Sequence, residues 1–113
     1  MYSDGPQDSQ PIYSIYQDDP EMADILDLFI QELPERIAKL EGFLHSHDER
    51  SLRYLAHQLK GSGAGYGFGE ISEAAANVEG FLVENGNEAF DAQLVELQKR
   101  MDTLLSICRR VIR

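Results

Sequence analysis

Apolar residues recur at three- and four-residue intervals over most of this chain, and the stretches that break the rhythm are rich in Gly, Pro, Asn, Asp and Ser. Such a period puts apolar side chains on one face of an α-helix, whereas strands need a period of two. The first stripe is Met22, Leu26, Phe29, Leu33, Ile37, Leu40 and Leu44. Ahead of it, Asp18-Asp19-Pro20-Glu21 predicts a helix start: a carboxylate to accept orphan N–H groups, proline at the first position and Glu21 complementing the dipole. Pro34 lies within the stripe, where it removes a backbone hydrogen bond and crowds the preceding turn. Because the apolar phase continues beyond it, a kink near Gln31 to Pro34 is expected rather than two helices. His45-Ser46-His47-Asp48 then separates this helix from the next, with Ser46 or Asp48 as the N-cap.

The second helix is predicted from about Glu49 to Tyr66, with Leu52, Leu55, Ala56, Leu59, Ser62, Gly63 and Tyr66 on its core face. His57 lies about 140° around the helix from Leu52 and is predicted to face solvent, among Arg50, Arg53, Lys60, Gly61 and Ala64. Glycine occupies positions 61, 63, 65, 67 and 69. No strand precedes this run, and its spacing matches neither nucleotide-binding glycine signature. Helical glycines at 61, 63 and 65 cost roughly 3 kcal/mol against alanine. Close approach of a neighbouring helix at Gly63, and of a partner protein at Gly61 and Gly65, is the expected compensation. Gly67 is expected in the left-handed conformation that ends the helix.

A third helix, about Glu70 to Glu84, buries Ile71, Ala74, Ala75, Val78, Phe81 and Leu82, and Asn85-Gly86-Asn87 forms a turn. The fourth, about Glu88 to Arg110, buries Phe90, Leu94, Leu97, Met101, Leu104, Leu105, Cys108 and Val111, with Arg109, Arg110 and Arg113 suiting its dipole. Four helices joined by short turns predict an all-α, antiparallel up-down-up-down bundle over residues 19–113. Residues 1–18 carry Gly5, Pro6 and Pro11 among Ser, Asp and Gln and read as a polar N-terminal tail. Ile12, Tyr13, Ile15 and Tyr16 are its exception, able to pack on the bundle edge.

Composition narrows the function. At 113 residues and 42% hydrophobic content the chain suits one domain with its own core. Twenty acidic side chains against ten Lys and Arg give a net charge of −10, which disfavours nucleic acid and anionic membrane surfaces as partners. The acidic, polar N-terminus and the lack of an 18-residue apolar run predict neither a secretory signal nor a membrane span. A reducing cytoplasm is the expected setting. Cys108, the single cysteine, reads as a buried thiol. His45 and His47 diverge on a helix and lack a third ligand in sequence, so no metal site is expected. A hydrolytic site would need a Ser or Cys nucleophile beside a base, and no such pairing stands out.

What remains is the surroundings of His57. Arg50, Arg53 and Lys60, three of the chain's ten Lys and Arg, gather around it on an acidic body, a local positive field suited to an anion. Neutral imidazole is a competent nucleophile, Lys60 can stabilise a phosphoryl group on it, and Gly61 leaves room for the group's delivery. His57, Lys60 and Gly61, with Leu55 and Leu59 on the opposite face, resemble the His-x-x-Lys-Gly signature of the histidine-containing phosphotransfer (HPt) domain. The resemblance covers about residues 19–110, including Asp19-Pro20, Leu33-Pro34 and Tyr66-Gly67-Phe68. The density of glycine after Ser62 departs from the family's commonest pattern and bears on how far the second helix extends.

The resemblance implies that His57 is phosphorylated, exchanging a phosphoryl group with a response-regulator receiver aspartate. Lys60 is then the electrostatic helper and Gly61 the access residue. Glu79 matches a third-helix position that hydrogen-bonds the other imidazole nitrogen, which leaves Nε2 as the nucleophile. The expected protein is a monomeric phosphoryl carrier with neither kinase activity nor cofactor of its own, Mg²⁺ belonging to the receiver's acidic pocket. Its expected partners are receiver domains and hybrid histidine kinases, docking over Arg50, Arg53, Ala64 and Gly65. The alternative is a phosphorylation-independent helical adaptor or regulator that binds a kinase or receiver.

Overall fold

The computed structural model describes residues 10–86 and 88–113, and each apolar stripe within them closes onto a common interior. Among the described residues four helices form the bundle: α1 (Ala23–His45), α2 (Glu49–Gly65), α3 (Gly69–Glu84) and α4 (Phe90–Arg110). Leu26 and Leu40 of α1, Leu52 and Leu59 of α2, Val78 and Leu82 of α3, and Met101 and Leu104 of α4 are fully buried. The all-α bundle is thus as predicted, and among the described residues the only β-type pairing is a single bridge between Ile12 and Val111.

Helix boundaries follow local chemistry. α1 starts at Ala23, later than predicted, because Asp19-Pro20 builds a turn in front of it. The Glu21 N–H donates to Asp19 Oδ1 at 2.9 Å and the Met22 N–H to the Asp19 carbonyl at 3.0 Å. Aspartate first and proline second suit such a turn. α1 then runs through Pro34 as one helix, with Leu33 buried and Pro34 exposed, so the ring faces solvent. Asp48 is the α2 N-cap, accepting from the Ser51 N–H at 3.2 Å, while Ser46 closes α1. α4 begins at Phe90 rather than Glu88. The side chain of Gln93, buried although polar, holds the preceding turn by donating to the carbonyls of Asn85 (2.6 Å) and Glu88 (2.8 Å). Asn87, the last residue of the predicted turn, lies outside the described residues.

Both α1 and α2 end in Schellman closures. In α2, Phe68 N–H reaches the Gly63 carbonyl (2.7 Å), Gly67 N–H reaches that of Ala64 (3.3 Å), and Gly67 has φ +82° as expected. In α1 the left-handed position is taken by His47 (φ 58°), whose ring stacks on Phe90 with centroids 4.7 Å apart. α2 and α3 pack most extensively. The predicted close approach occurs at Gly63, where an added Cβ would sit 2.9 Å from Ser72 N and 3.1 Å from Ile71 Cβ. Gly61 and Gly65 face open space.

The described part of the predicted tail packs onto the bundle through Ile12, one of the four residues expected to be able to, and through Ser14, which was not among them. Ile12 is buried, donates to the Arg110 carbonyl (2.8 Å) and accepts from Ile112 (3.0 Å). Ser14, also buried, donates through Oγ to the Tyr66 carbonyl at 2.6 Å, and Ile15 N–H reaches the Gly67 carbonyl at 3.0 Å. Tyr13, Ile15 and Tyr16 stay exposed, and residues 1–9 lie outside the described part. Arg109 and Arg110 lie in the last turn of α4, where they suit its dipole as expected, and Arg113 lies beyond it. Arg109 and Arg113 also pair with Glu41 and Asp27 of α1, and Arg110 donates to the Ser106 carbonyl at 3.3 Å.

The two glycine environments predict opposite substitution effects. Gly63→Ala must push α3 away and should lower stability by about 1–3 kcal/mol, whereas Gly61→Ala should raise it by about 0.5–1 kcal/mol through helix propensity. Urea unfolding of the two variants measures both.

Candidate functional site

With Leu52, Leu55 and Leu59 turned inward, α2 must carry His57 outward, and its side chain is 64% exposed. The tight α2–α3 contact brings Glu79 alongside. Glu79 Oε2 lies 2.6 Å from His57 Nδ1, and Oε1 lies 3.6 Å from Lys60 Nζ. The Glu79 side chain is only 18% exposed, so its partners hold it in a largely sheltered place. Ser72 Oγ donates to the Lys60 carbonyl at 2.8 Å, tying α3 to the same turn of α2. A carboxylate can only accept, so Nδ1 carries a proton, and in the neutral ring that leaves the lone pair on Nε2.

Beside the ring runs a groove of about 830 Å³, walled in part by Lys39, Phe43, Tyr54, Gln58, Glu79 and Val83. Arg50 and Arg53 line it together with His57, and Arg53 also lies 3.6 Å from Glu49. Lys60 is not part of this wall; its ammonium sits against Glu79. The three cations grouped by sequence are therefore divided between groove and carboxylate. Gly61 leaves open space beside the site. Ala64 and Gly65 are exposed further along α2 and do not line the groove.

Sequence reasoning missed Lys39, Phe43, Tyr54, Gln58 and Val83. Tyr54, 64% exposed and three residues before His57, could have been found on the same wheel, and Val83 is four residues after Glu79 on α3. Lys39 and Phe43 come from α1, and no spacing within one helix reports them. Elsewhere, His47 Nδ1 lies 3.3 Å from Asp91 Oδ1. Among the described residues no group of three or more His, Cys, Asp or Glu could hold a metal ion. Burial pushes the Cys108 thiol up to about 11, against a smaller lowering by Arg109, so it carries no thiolate nucleophile near neutral pH.

One comparison decides the family. The family model of the Hpt domain matches residues 24–107, well over half of the chain. The chain belongs to the Hpt domain family. Neither curated proteins nor solved structures gave a match. Hpt domains serve histidine phosphotransfer in phosphorelays, as phosphocarriers that interact with receiver domains and kinases. Among the described residues of this Hpt domain, no helix is long and apolar enough to cross a membrane.

The Glu79 contact makes a spectroscopic prediction. Free imidazole prefers its proton on Nε2, so nitrogen NMR should find His57 mainly as the Nδ1–H tautomer in the wild type and mainly as Nε2–H in Glu79→Ala.

Proposed function

We propose that His57 is the phosphoryl-accepting residue of a relay between receiver domains. The short hydrogen bond on Nδ1, with the rest of the ring open to solvent, carries this reading. Nε2 attacks the phosphorus of a receiver aspartyl phosphate; the N–P bond forms as the P–O bond to the aspartate breaks, and the carboxylate leaves with the bonding pair. The ring keeps its Nδ1 proton and becomes cationic, and the carboxylate of Glu79 stabilises that developing charge. Transfer to a second receiver is the reverse step. No proton is gained or lost in either direction, so the domain needs no general acid or base.

Lys60 is the nearest α2 cation to this pair and stabilises the phosphoryl oxygens, while Gly61 leaves the approach unobstructed. The groove supplies the docking face. Lys39, Arg50 and Arg53 complement a receiver's acidic pocket, which holds the Mg²⁺, and Phe43, Tyr54 and Val83 supply apolar contact. Ala64 and Gly65 extend the footprint as a low, side-chain-poor surface along α2. The domain acts as a monomeric carrier in a reducing cytoplasm, without kinase activity of its own.

Incubation with a radiolabelled phospho-receiver tests the assignment. Acid-labile, base-stable label should accumulate on the wild type and vanish in His57→Gln; equal labelling of that variant rules out His57. Gly61→Leu should keep the helical circular dichroism spectrum and lose more than about tenfold in transfer rate, since small displacements of reacting groups are costly. Transfer at the wild-type rate would remove the access role of Gly61.

A further inference from the structure

The turn between α3 and α4 contains the one Asn-Gly pair in the sequence, Asn85-Gly86. An asparagine followed by glycine is chemically labile, because glycine has no side chain to keep its backbone nitrogen from the asparagine side-chain amide. The Gly86 nitrogen attacks Asn85 Cγ, a C–N bond forms, and Nδ2 leaves as ammonia with the proton that the Gly86 nitrogen gives up. Water then opens the resulting ring at either carbonyl to leave aspartate or isoaspartate. Water is the sole co-reactant, and nothing is oxidised or reduced.

Ring closure requires the side-chain amide to swing forward onto the Gly86 nitrogen, and the fold opposes that movement. Asn85 Nδ2 donates to the Phe81 carbonyl at 2.8 Å and the Asn85 N–H donates to the same carbonyl at 3.0 Å, so the side chain is turned back along α3. On the other side, the Asn85 carbonyl accepts from the Glu88 N–H at 3.0 Å and from Gln93 Nε2 at 2.6 Å. Gln93 is 4% exposed, and its Oε1 has no hydrogen-bond partner among the described residues. Burying that oxygen is costly, and the two bonds from Nε2, to the carbonyls of Asn85 and Glu88, offset the cost.

We propose that Asn85 is a site of spontaneous deamidation that reacts only when this turn opens, and that Gln93 sets how often it opens. The change is one-way. A carboxylate side chain at position 85 cannot donate to Phe81, and its charge lies at the C-terminal end of α3, where the helix dipole is itself negative. Isoaspartate also lengthens the backbone by one carbon, so the Glu88 N–H and Gln93 Nε2 lose the register in which both meet one carbonyl. Val83, in the last turn of α3, walls the groove beside His57, so conversion loosens that wall. Both the chemistry and its test are independent of the phosphotransfer reading.

Incubation of the full chain at mildly alkaline pH, with conversion at each asparagine followed by peptide mass spectrometry, measures the rate. Conversion at Asn85 should be more than about tenfold slower in the native chain than in the chain unfolded by guanidinium, since it needs a local opening. Gln93→Met, checked for its helical circular dichroism, should speed native conversion by about fivefold, the effect of losing one or two hydrogen bonds. In the wild type, at guanidinium concentrations below global unfolding, the conversion rate should rise in step with hydrogen exchange of the Glu88 N–H. Asn85→Asp should speed hydrogen exchange over the last turn of α3. Equal rates in native and unfolded chains overturn the proposal, as do a wild-type rate in folded Gln93→Met and a conversion rate that does not follow Glu88 exchange. Unchanged exchange in Asn85→Asp overturns the loosening of α3.

Discussion

The missing side chain at Gly63 governs the relation between the two halves of the site. Any Cβ there would collide with the backbone of Ser72 and the side chain of Ile71, so α3 can lie against α2 only because the position is glycine. That approach sets the register in which Glu79, seven residues beyond Ser72 on α3, meets His57, six residues before Gly63 on α2. The hydrogen bond from Ser72 to the Lys60 carbonyl spans the same contact. The propensity cost of helical glycine is thus offset at one position by packing, while Gly61 and Gly65 carry it with no internal contact in return.

Electrostatics in this acidic chain is local. Most of the described ion pairs join neighbouring turns or adjacent helices at the surface: Arg36 with Glu32, Lys39 with Glu35, Arg100 with Glu96, Arg109 with Glu41. Such exposed pairs are each worth at most about 1 kcal/mol, so their main effect is to neutralise cations that a simple count would credit to a binding field. Glu79 differs because it is sheltered and because both of its oxygens are engaged. The positive character of the groove is correspondingly weaker than three cations on one helix face suggest, and the chemistry of the ring depends more on one carboxylate than on the general field.

Helical phase made much of this readable from sequence. Four apolar stripes defined four helices, and the angle between Leu52 and His57 on one helix was enough to expose the histidine. Glu79 came from family resemblance, since no spacing within α2 or α3 reports that two residues on different helices touch. The same blindness hid Lys39 and Phe43. Gln93 was missed for another reason: its burial follows from its amide bonds to the carbonyls of Asn85 and Glu88, which close the turn before α4 and which no helical period reports. In the N-terminal segment Ile12 stood out by its apolar side chain, and Ser14 did not. Ser14 is polar by type but is buried because it satisfies the Tyr66 carbonyl left over at the end of α2.

That segment also shapes how the chain reaches its fold. The α2–α3 pair is a short-range structure, joined by three residues, and closes with little loss of chain entropy. The bridge between Ile12 and Val111 joins positions separated by almost the whole chain, so closing it costs more chain entropy. Contacts of such long sequence separation slow folding more than local ones do. The helices around His57 thus rest on local, short-loop contacts, and the clasp between Ile12 and Val111 is held by long-range ones.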